Sequence, residues 1–214
     1  MHARGDRVRS VADMPAIPPL PQPLSDESVG LRFTAERDIP EILIAYQNDP
    51  QLHIRIGKRR PPSGAELGQE LEEAAAKRAQ GIRASLAILE LPSDEIRGEI
   101  TVRGIEWDHA RASLGVWVAP GARDRGLARR ALRLAAGWLF DACGLERIAL
   151  LTDPDNEPML RAARAAGFRD EGLLRSHGGE RGIRGDTAVL SLLRSDLQSS
   201  GPAVSVQRTP GARD

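Results

Sequence analysis

Cysteine is nearly missing from this chain: a single residue, Cys143, excludes an internal disulfide and any multi-cysteine metal site. Cys143 ends the apolar run Trp138-Leu139-Phe140-Asp141-Ala142-Cys143 at helical spacing, so it reads as a small core hydrophobe rather than a reactive thiol. Aromatic residues are also scarce, at 3%, so a core drawn from a 41% hydrophobic fraction must be built from Ala, Leu, Ile and Val. Net charge is missing too, because 30 basic residues cancel 30 acidic ones. A neutral chain has no global attraction to nucleic acid or to an anionic membrane, and any affinity for a polyanion must be local. No window approaches the roughly 18 apolar residues of a membrane span, and Met1 to Gln22 lacks a signal-length apolar stretch. A cytoplasmic protein is the expectation. His2, His53, His109 and His177 show no ligand spacing, so no metal is expected.

What is present fits one domain with two tails. Residues 1–28 hold Pro15, Pro18, Pro19, Pro21 and Pro23 without any period and read as a disordered or loosely docked arm. Residues 198–214, rich in Ser, Gly and Pro, read as a disordered tail, leaving 29–197 as the domain. Within it, Leu31-Arg32-Phe33-Thr34 is a short strand, and Asp38 with Pro40 signals a helix start capped by Asp38. Ser63 and Glu66 form a capping-box pattern before a polar helix to about Ala79. Ser85–Leu89, Ile96–Val102 and Ser113–Ala119 read as a strand meander, joined by turns at Leu91-Pro92-Ser93-Asp94 and Glu106-Trp107-Asp108-His109. A helix starts near Gly126 with apolar positions 127, 131, 134, 135, 138 and 142, its Arg129, Arg130 and Arg133 facing out. Ile148–Thr152 is a buried strand, Asp155 or Asn156 caps a further helix that Gly167 stops, and Ala188–Leu193 is a last strand. This order argues for a mixed α/β sheet.

The stretch Arg123-Asp124-Arg125-Gly126-Leu127-Ala128 follows a strand and opens a helix. The first amides of a helix lack internal partners and carry partial positive charge, which suits a pyrophosphate. Gly126 and Ala128 keep bulk away from that backbone, and Arg123 and Arg125 are placed to add charge-assisted hydrogen bonds. The spacing Gly121-xxxx-Gly126 imitates a P-loop, but Leu127 and Ala128 stand where Lys and Ser or Thr would reach the terminal phosphate and magnesium. No Gly-x-Gly-x-x-Gly is present either, so neither a triphosphate hydrolase nor a dinucleotide fold has its fingerprint.

From Leu114 to Leu193 the chain resembles the GNAT superfamily of acetyltransferases. The resemblance rests on Gly115-Val116-Trp117-Val118-Ala119, the Arg123-x-x-Gly126-x-Ala128 loop, and the amphipathic helix that follows. It continues through Asp153-Pro154-Asp155-Asn156, Ala165-Ala166-Gly167-Phe168, Arg169-Asp170-Glu171-Gly172 and Gly185-Asp186 before the final strand. The layout looks most like the branch that acetylates N-termini of ribosomal proteins. It implies a central, mostly antiparallel twisted sheet flanked by helices, with acetyl-CoA as co-substrate. The pantetheine arm would pair with the backbone of Trp117, Val118 and Ala119. The amides of Asp124, Arg125, Gly126, Leu127 and Ala128 would hold the pyrophosphate, and Asn156 would bond near the pantetheine. The acceptor implied is a primary amine, of a protein N-terminus or a small molecule, and the chain would act as a monomer or homodimer.

Relatives of this type often carry a Glu where Ser113 stands and a Ser or Tyr after the Asn, where Pro158 and Met159 follow Glu157. Glu99 as a base through water and Ser113 as a proton relay are the remaining candidates. Their departure from the pattern motivates one alternative, a non-catalytic acyl-CoA-binding or regulatory module. The Lys58-Arg59-Arg60 cluster reads as a solvated loop, with a place at the border of the acceptor site as the sharper hypothesis.

Overall fold

Alternation of side chains along each strand decides which residues face which helices. The computed structural model describes residues 14–22, 24–180 and 183–198. Residues 1–13 and 199–214, most of the two expected tails, lie outside the described residues. β1 (Leu24–Ser25), β2 (Val29–Phe33), β3 (Ala84–Glu90), β4 (Ile96–Glu106) and β5 (Arg111–Val118) pair antiparallel in chain order. β5 then pairs in parallel with β6 (Arg147–Thr152), and the sheet closes with β8 (Ile183–Leu193) and β7 (Arg169–Glu180). The expected mixed, mostly antiparallel sheet is therefore an eight-stranded one.

α1 (Ile39–Asn48), α2 (Leu52–Arg55) and α3 (Gly64–Ala79) cover one face, packing Ile42, Tyr46, Leu52 and Leu67 on Ala87, Leu89, Ile96 and Trp117. α4 (Leu127–Asp141), with α5 (Glu157–Ala166) beside it, covers the other face over Leu86, Ile88, Ile100, Val102 and Leu114. Ile96 and Ile100 have the same parity yet join different cores. A bulge explains this: Ile88 pairs with Gly98 but Leu89 pairs with Ile96, so Arg97 is an extra residue and the faces exchange there.

Local signals mostly act as their chemistry dictates. Ser63 Oγ accepts from the Glu66 amide at 3.2 Å and Glu66 returns the bond to the Ser63 amide at 2.8 Å, the expected capping box. Asp38 behaves differently from expectation. A 3-10 turn over Glu36–Asp38 precedes α1, which already gives Asp38 a helical φ of −86° and no capping bond. Its buried carboxylate instead accepts two bonds from Arg32, each 2.7 Å, and one from the Ala35 amide. In α4 the predicted stripe Leu127, Ala131, Leu134, Ala135 and Trp138 is buried, but Leu132, Ala136, Leu139 and Phe140 are buried as well. The helix has neighbours on a second side, α5 and the short α6 (Arg194–Gln198). Ala142, predicted in the stripe, lies past the helix end and is exposed.

The described part of the segment 1–28, expected as a disordered or loosely docked arm, lies against the body. Ile17 and Leu20 are buried in the core shared with α4, and the Ile17 amide donates to Arg78 O at 2.9 Å. Leu24 and Ser25 add β1 to the sheet edge. Removing a buried Leu loses its transfer energy and leaves a cavity. Leu20→Ala is accordingly expected to lower the unfolding free energy by about 2 kcal/mol, the low end of core truncations, in urea titration. A midpoint equal to that of the parent would mean that the segment does not contribute to the fold.

Candidate active site

A split in the sheet creates the cleft. β5 and β6 are in register from Arg111–Arg147 to Leu114–Leu150 and then part. From Gly115 onward β5 keeps β4 on one side only, and a cavity of about 1060 Å³ opens on the other. The Ala119 amide donates to Arg97 O, so strand alternation turns the backbone groups of Trp117 and Gly115 toward β4 and those of Val116 and Val118 toward the cavity. Trp117, expected on the pairing edge with Val118 and Ala119, gives its indole to the α1–α3 core, while Val116 and the Val118 amide face the cavity and the Val118 carbonyl accepts from Arg123. A Cβ at Gly98 would lie 2.3 Å from Trp117 O, so only glycine permits the close approach that holds β5 in place here.

After β5 a 3-10 turn at Pro120–Ala122 leads into the loop 123–126, where Asp124 (φ +61°) and Gly126 (φ +76°) take left-handed conformations. Gly126 precedes α4 without any side-chain cap, and the amides of Gly126, Leu127, Ala128 and Arg129 have no acceptor among the described residues. Asp124, Gly126, Leu127, Ala128 and Arg129 all line the cavity. Unpartnered amides and the helix dipole make this an anion-attracting wall.

The two expected arginine contacts are placed otherwise. Arg123 donates to Val118 O at 3.0 Å and pairs with Asp49, which also accepts from Arg55 at 3.0 Å. Burial alone would raise the Asp49 pKa, but the hydrogen bond and charge of Arg123 hold it below the usual carboxylate range. Arg123 therefore ties the α1–α2 junction to the cofactor-side loop. Arg125 points away, to Glu90 at 2.9 Å. Arg129 and Arg161, neither singled out for this cleft by the sequence, line it and have no carboxylate partner among the described residues. The helical period marks Arg129 only as solvent-facing, because it cannot say that the solvent is a cleft. Asn156 does cap α5, accepting from the Met159 amide at 3.4 Å, and its Nδ2 donates to Thr152 Oγ1 at 3.0 Å. It also lines the cavity, with one N–H and one lone pair still available.

On the α1–α3 side of the same cavity, Glu99 accepts from Thr34 Oγ1 and Thr101 Oγ1, both at 3.1 Å. Its carboxyl is enclosed by protein, although the residue keeps contact with the cleft. Burial pushes its pKa up, against the lowering effect of the two hydroxyls and of the Arg83 charge. Tyr46, which the sequence reading left without a role, lines the same wall. Burial, then the negative charges of Glu99 and Glu70, raise its pKa and keep the phenol protonated. Ser113 is not brought to Glu99. Glu99 pairs with Trp117 and Ser113 with Arg103, four residues along, about 13 Å away at strand spacing. Ser113 is not among the cavity's lining residues. Lys58 does line it, bonded to Glu70 at 2.6 Å. Cys143 is half-buried and desolvation lifts its thiol to about 12, as suits a packing residue.

Among the described residues no helix is long and apolar enough to cross a membrane, and no group of three or more His, Cys, Asp or Glu side chains could hold a metal ion. Comparison with known proteins points one way. The chain is 27% identical over 173 residues to the uncharacterized N-acetyltransferase YoaA of Bacillus subtilis, covering 80% of this chain and 96% of that protein. It is 32% identical over 80 residues to spermidine N(1)-acetyltransferase of Escherichia coli, covering 37% of this chain and 43% of that one. The fold is shared with Mycobacterium smegmatis RimJ, solved in complex with CoA-disulfide, at a TM-score of 0.70 and 24% identity over 79% of this chain and 83% of that one. Residues 28–169 match the acetyltransferase (GNAT) domain model, and the chain belongs to that family.

Proposed function

We propose that this acetyltransferase carries the acetyl group of acetyl-CoA to a primary amine, with the thioester held where β5 and β6 separate. The observation that carries the reading is the meeting, in one cleft, of an open β5 edge, the unpartnered first amides of α4 and the enclosed Glu99. The amides of Gly126, Leu127 and Ala128 hold the diphosphate, and Arg129 and Arg161 add charge beside it. Val116 and Val118 bond the extended pantetheine as a strand edge bonds a peptide. Asn156 donates its remaining N–H to the same arm.

Transfer needs a neutral amine, a polarised carbonyl and a proton for the departing sulfur. Glu99, through a water, takes the proton from the ammonium, so that the nitrogen lone pair can attack the thioester carbon. An open-edge amide of β5 donates to the oxygen as negative charge collects there. The C–S bond then breaks, the nitrogen sheds its second proton as it becomes an amide, and that proton passes by way of Tyr46 or water to the thiolate. The partial relative named for acetylating spermidine supports the amine as acceptor class. Calorimetric titration with acetyl-CoA and thiol release with a panel of amines test the reading. No binding at millimolar acetyl-CoA would end it, and binding without thiol release above hydrolysis would leave a non-catalytic acyl-CoA module.

A further inference from the structure

Most charges on the acceptor side of the cleft are already matched. Lys58 bonds Glu70 at 2.6 Å, Lys77 bonds Glu73 at 2.6 Å, and Arg55 bonds Asp49 at 3.0 Å. Two guanidiniums remain. Arg83 and Arg103 line the cleft, are exposed, and have no hydrogen-bonded or ion-paired partner among the described residues; the one carboxylate on which the Arg83 charge acts is the enclosed Glu99, which leaves its N–H groups open to a ligand.

Register sets them side by side. Ala84 pairs with Val102, so one further antiparallel step puts Arg83 opposite Arg103. Alternation places both on the face that carries Ser85, Thr101 and Glu99. Arg103 also turns inward: a Cβ built at Gly115 would be 3.7 Å from its Cζ, so the guanidinium spreads over the one β5 position there that has no side chain. Like charges directly across a strand pair repel, and an anion between them relieves the repulsion. Glu99 lies on the same face of β4, four residues or about 13 Å from Arg103, a span that extended arginine side chains shorten.

We propose that the acceptor amine carries a carboxylate a few bonds from its nitrogen. Arg83 and Arg103 hold this group by charge-assisted hydrogen bonds while the nitrogen lies toward Glu99. The inference rests on the transferase reading above and names its substrate class. A polycation would set its second charge against the arginine pair, which disfavours it. The carboxylate belongs either to an acidic residue beside a peptide N-terminus or to a small amino acid, and one experiment distinguishes them.

Initial rates, and calorimetric binding in the presence of CoA, are compared for tripeptides with Asp, Asn or Lys in second place, for free aspartate, and for a linear polyamine. The Asp peptide is expected to exceed the Lys peptide by at least about tenfold in kcat/KM and in affinity. R83E/R103E is expected to invert that ratio, and R83Q/R103Q to flatten it, with thermal midpoints confirming that each variant folds. Preference for the Asp peptide over free aspartate assigns the carboxylate to a peptide; the reverse assigns it to a small amino acid. Equal use of Asp and Lys peptides, preference for the polyamine, or an Asp preference that survives both double variants overturns the proposal. Arginine-dependent binding of the Asp peptide without thiol release sustains the anion site and counts against the transferase. Thiol release that ignores acceptor charge does the opposite.

Discussion

Glu99→Gln is expected to lower kcat/KM by about 10²- to 10⁴-fold, the usual contribution of a positioned acid–base group. Affinity for acetyl-CoA should hold, because Glu99 lies on the α1–α3 side of the cleft, away from the α4 amides. Burial raises the Glu99 pKa, so its ionised, proton-accepting form grows as pH rises through that elevated value. The parent's kcat/KM should climb over the same window, and the Gln variant should lose that limb. An acceptor amine of low pKa isolates it from the amine's own titration. A variant within about threefold of the parent, with an unchanged profile, would mean that bulk solvent handles the proton.

The same side chain makes an opposite prediction for stability. A carboxyl whose folded pKa is raised binds its proton more tightly in the folded state than in the unfolded one. Its contribution to stability is therefore most favourable below the unfolded pKa and declines as pH rises toward the folded pKa. Above that value the folded state carries an enclosed charge, and on that alkaline side Glu99→Gln should melt higher than the parent. Gain of thermal midpoint together with loss of turnover separates an active-site carboxylate from an ordinary structural one, whose removal lowers both.

Gly126→Val is the second large effect. Among the described residues, and apart from its chain neighbours, nothing lies within 4 Å of a Cβ built at Gly126, so no clash with the rest of the fold arises. Two consequences remain. The φ of +76° disfavours a β-branched residue by about 1–2 kcal/mol, and the isopropyl group stands where a diphosphate must approach the first amides of α4. We expect the acetyl-CoA dissociation constant to rise at least about 100-fold, or about 2.7 kcal/mol, with unfolding free energy lowered by only the strain. Gly126→Ala should fall between the two. Calorimetric titration reads the binding and urea unfolding reads the strain. Equal affinity in the Val variant would remove the α4 terminus from the site.

How much of this was legible beforehand depends on the range of each signal. The Ser63–Glu66 box, the α4 stripe and the stop at Gly167 are local: their chemistry is complete within a few residues, so sequence sufficed. Asp38 failed as a cap because the preceding turn, a local feature with no strong sequence mark, had already placed it in a helical conformation. The last strand was expected only from Ala188 but β8 begins at Ile183, because Gly185, Asp186 and Thr187 carry no alternating apolar signal. Arg123, expected to add a bond to the diphosphate, holds a protein carboxylate in this structure. Its guanidinium meets Asp49, 74 residues away in sequence, and no local pattern encodes such a contact.

By itself the sequence determined the mixed sheet, the order of its elements and the family, because hydrophobic period, glycine stops and a loop-to-helix motif are properties of contiguous residues. Only the tertiary structure decided which backbone edge is open, that Glu99 and Tyr46 share a wall from which Ser113 is absent, and that Arg83 and Arg103 line the same cleft without an ion-paired carboxylate among the described residues. Those facts follow from register and from the parting of β5 and β6, which join residues distant in sequence through backbone geometry common to all residue types.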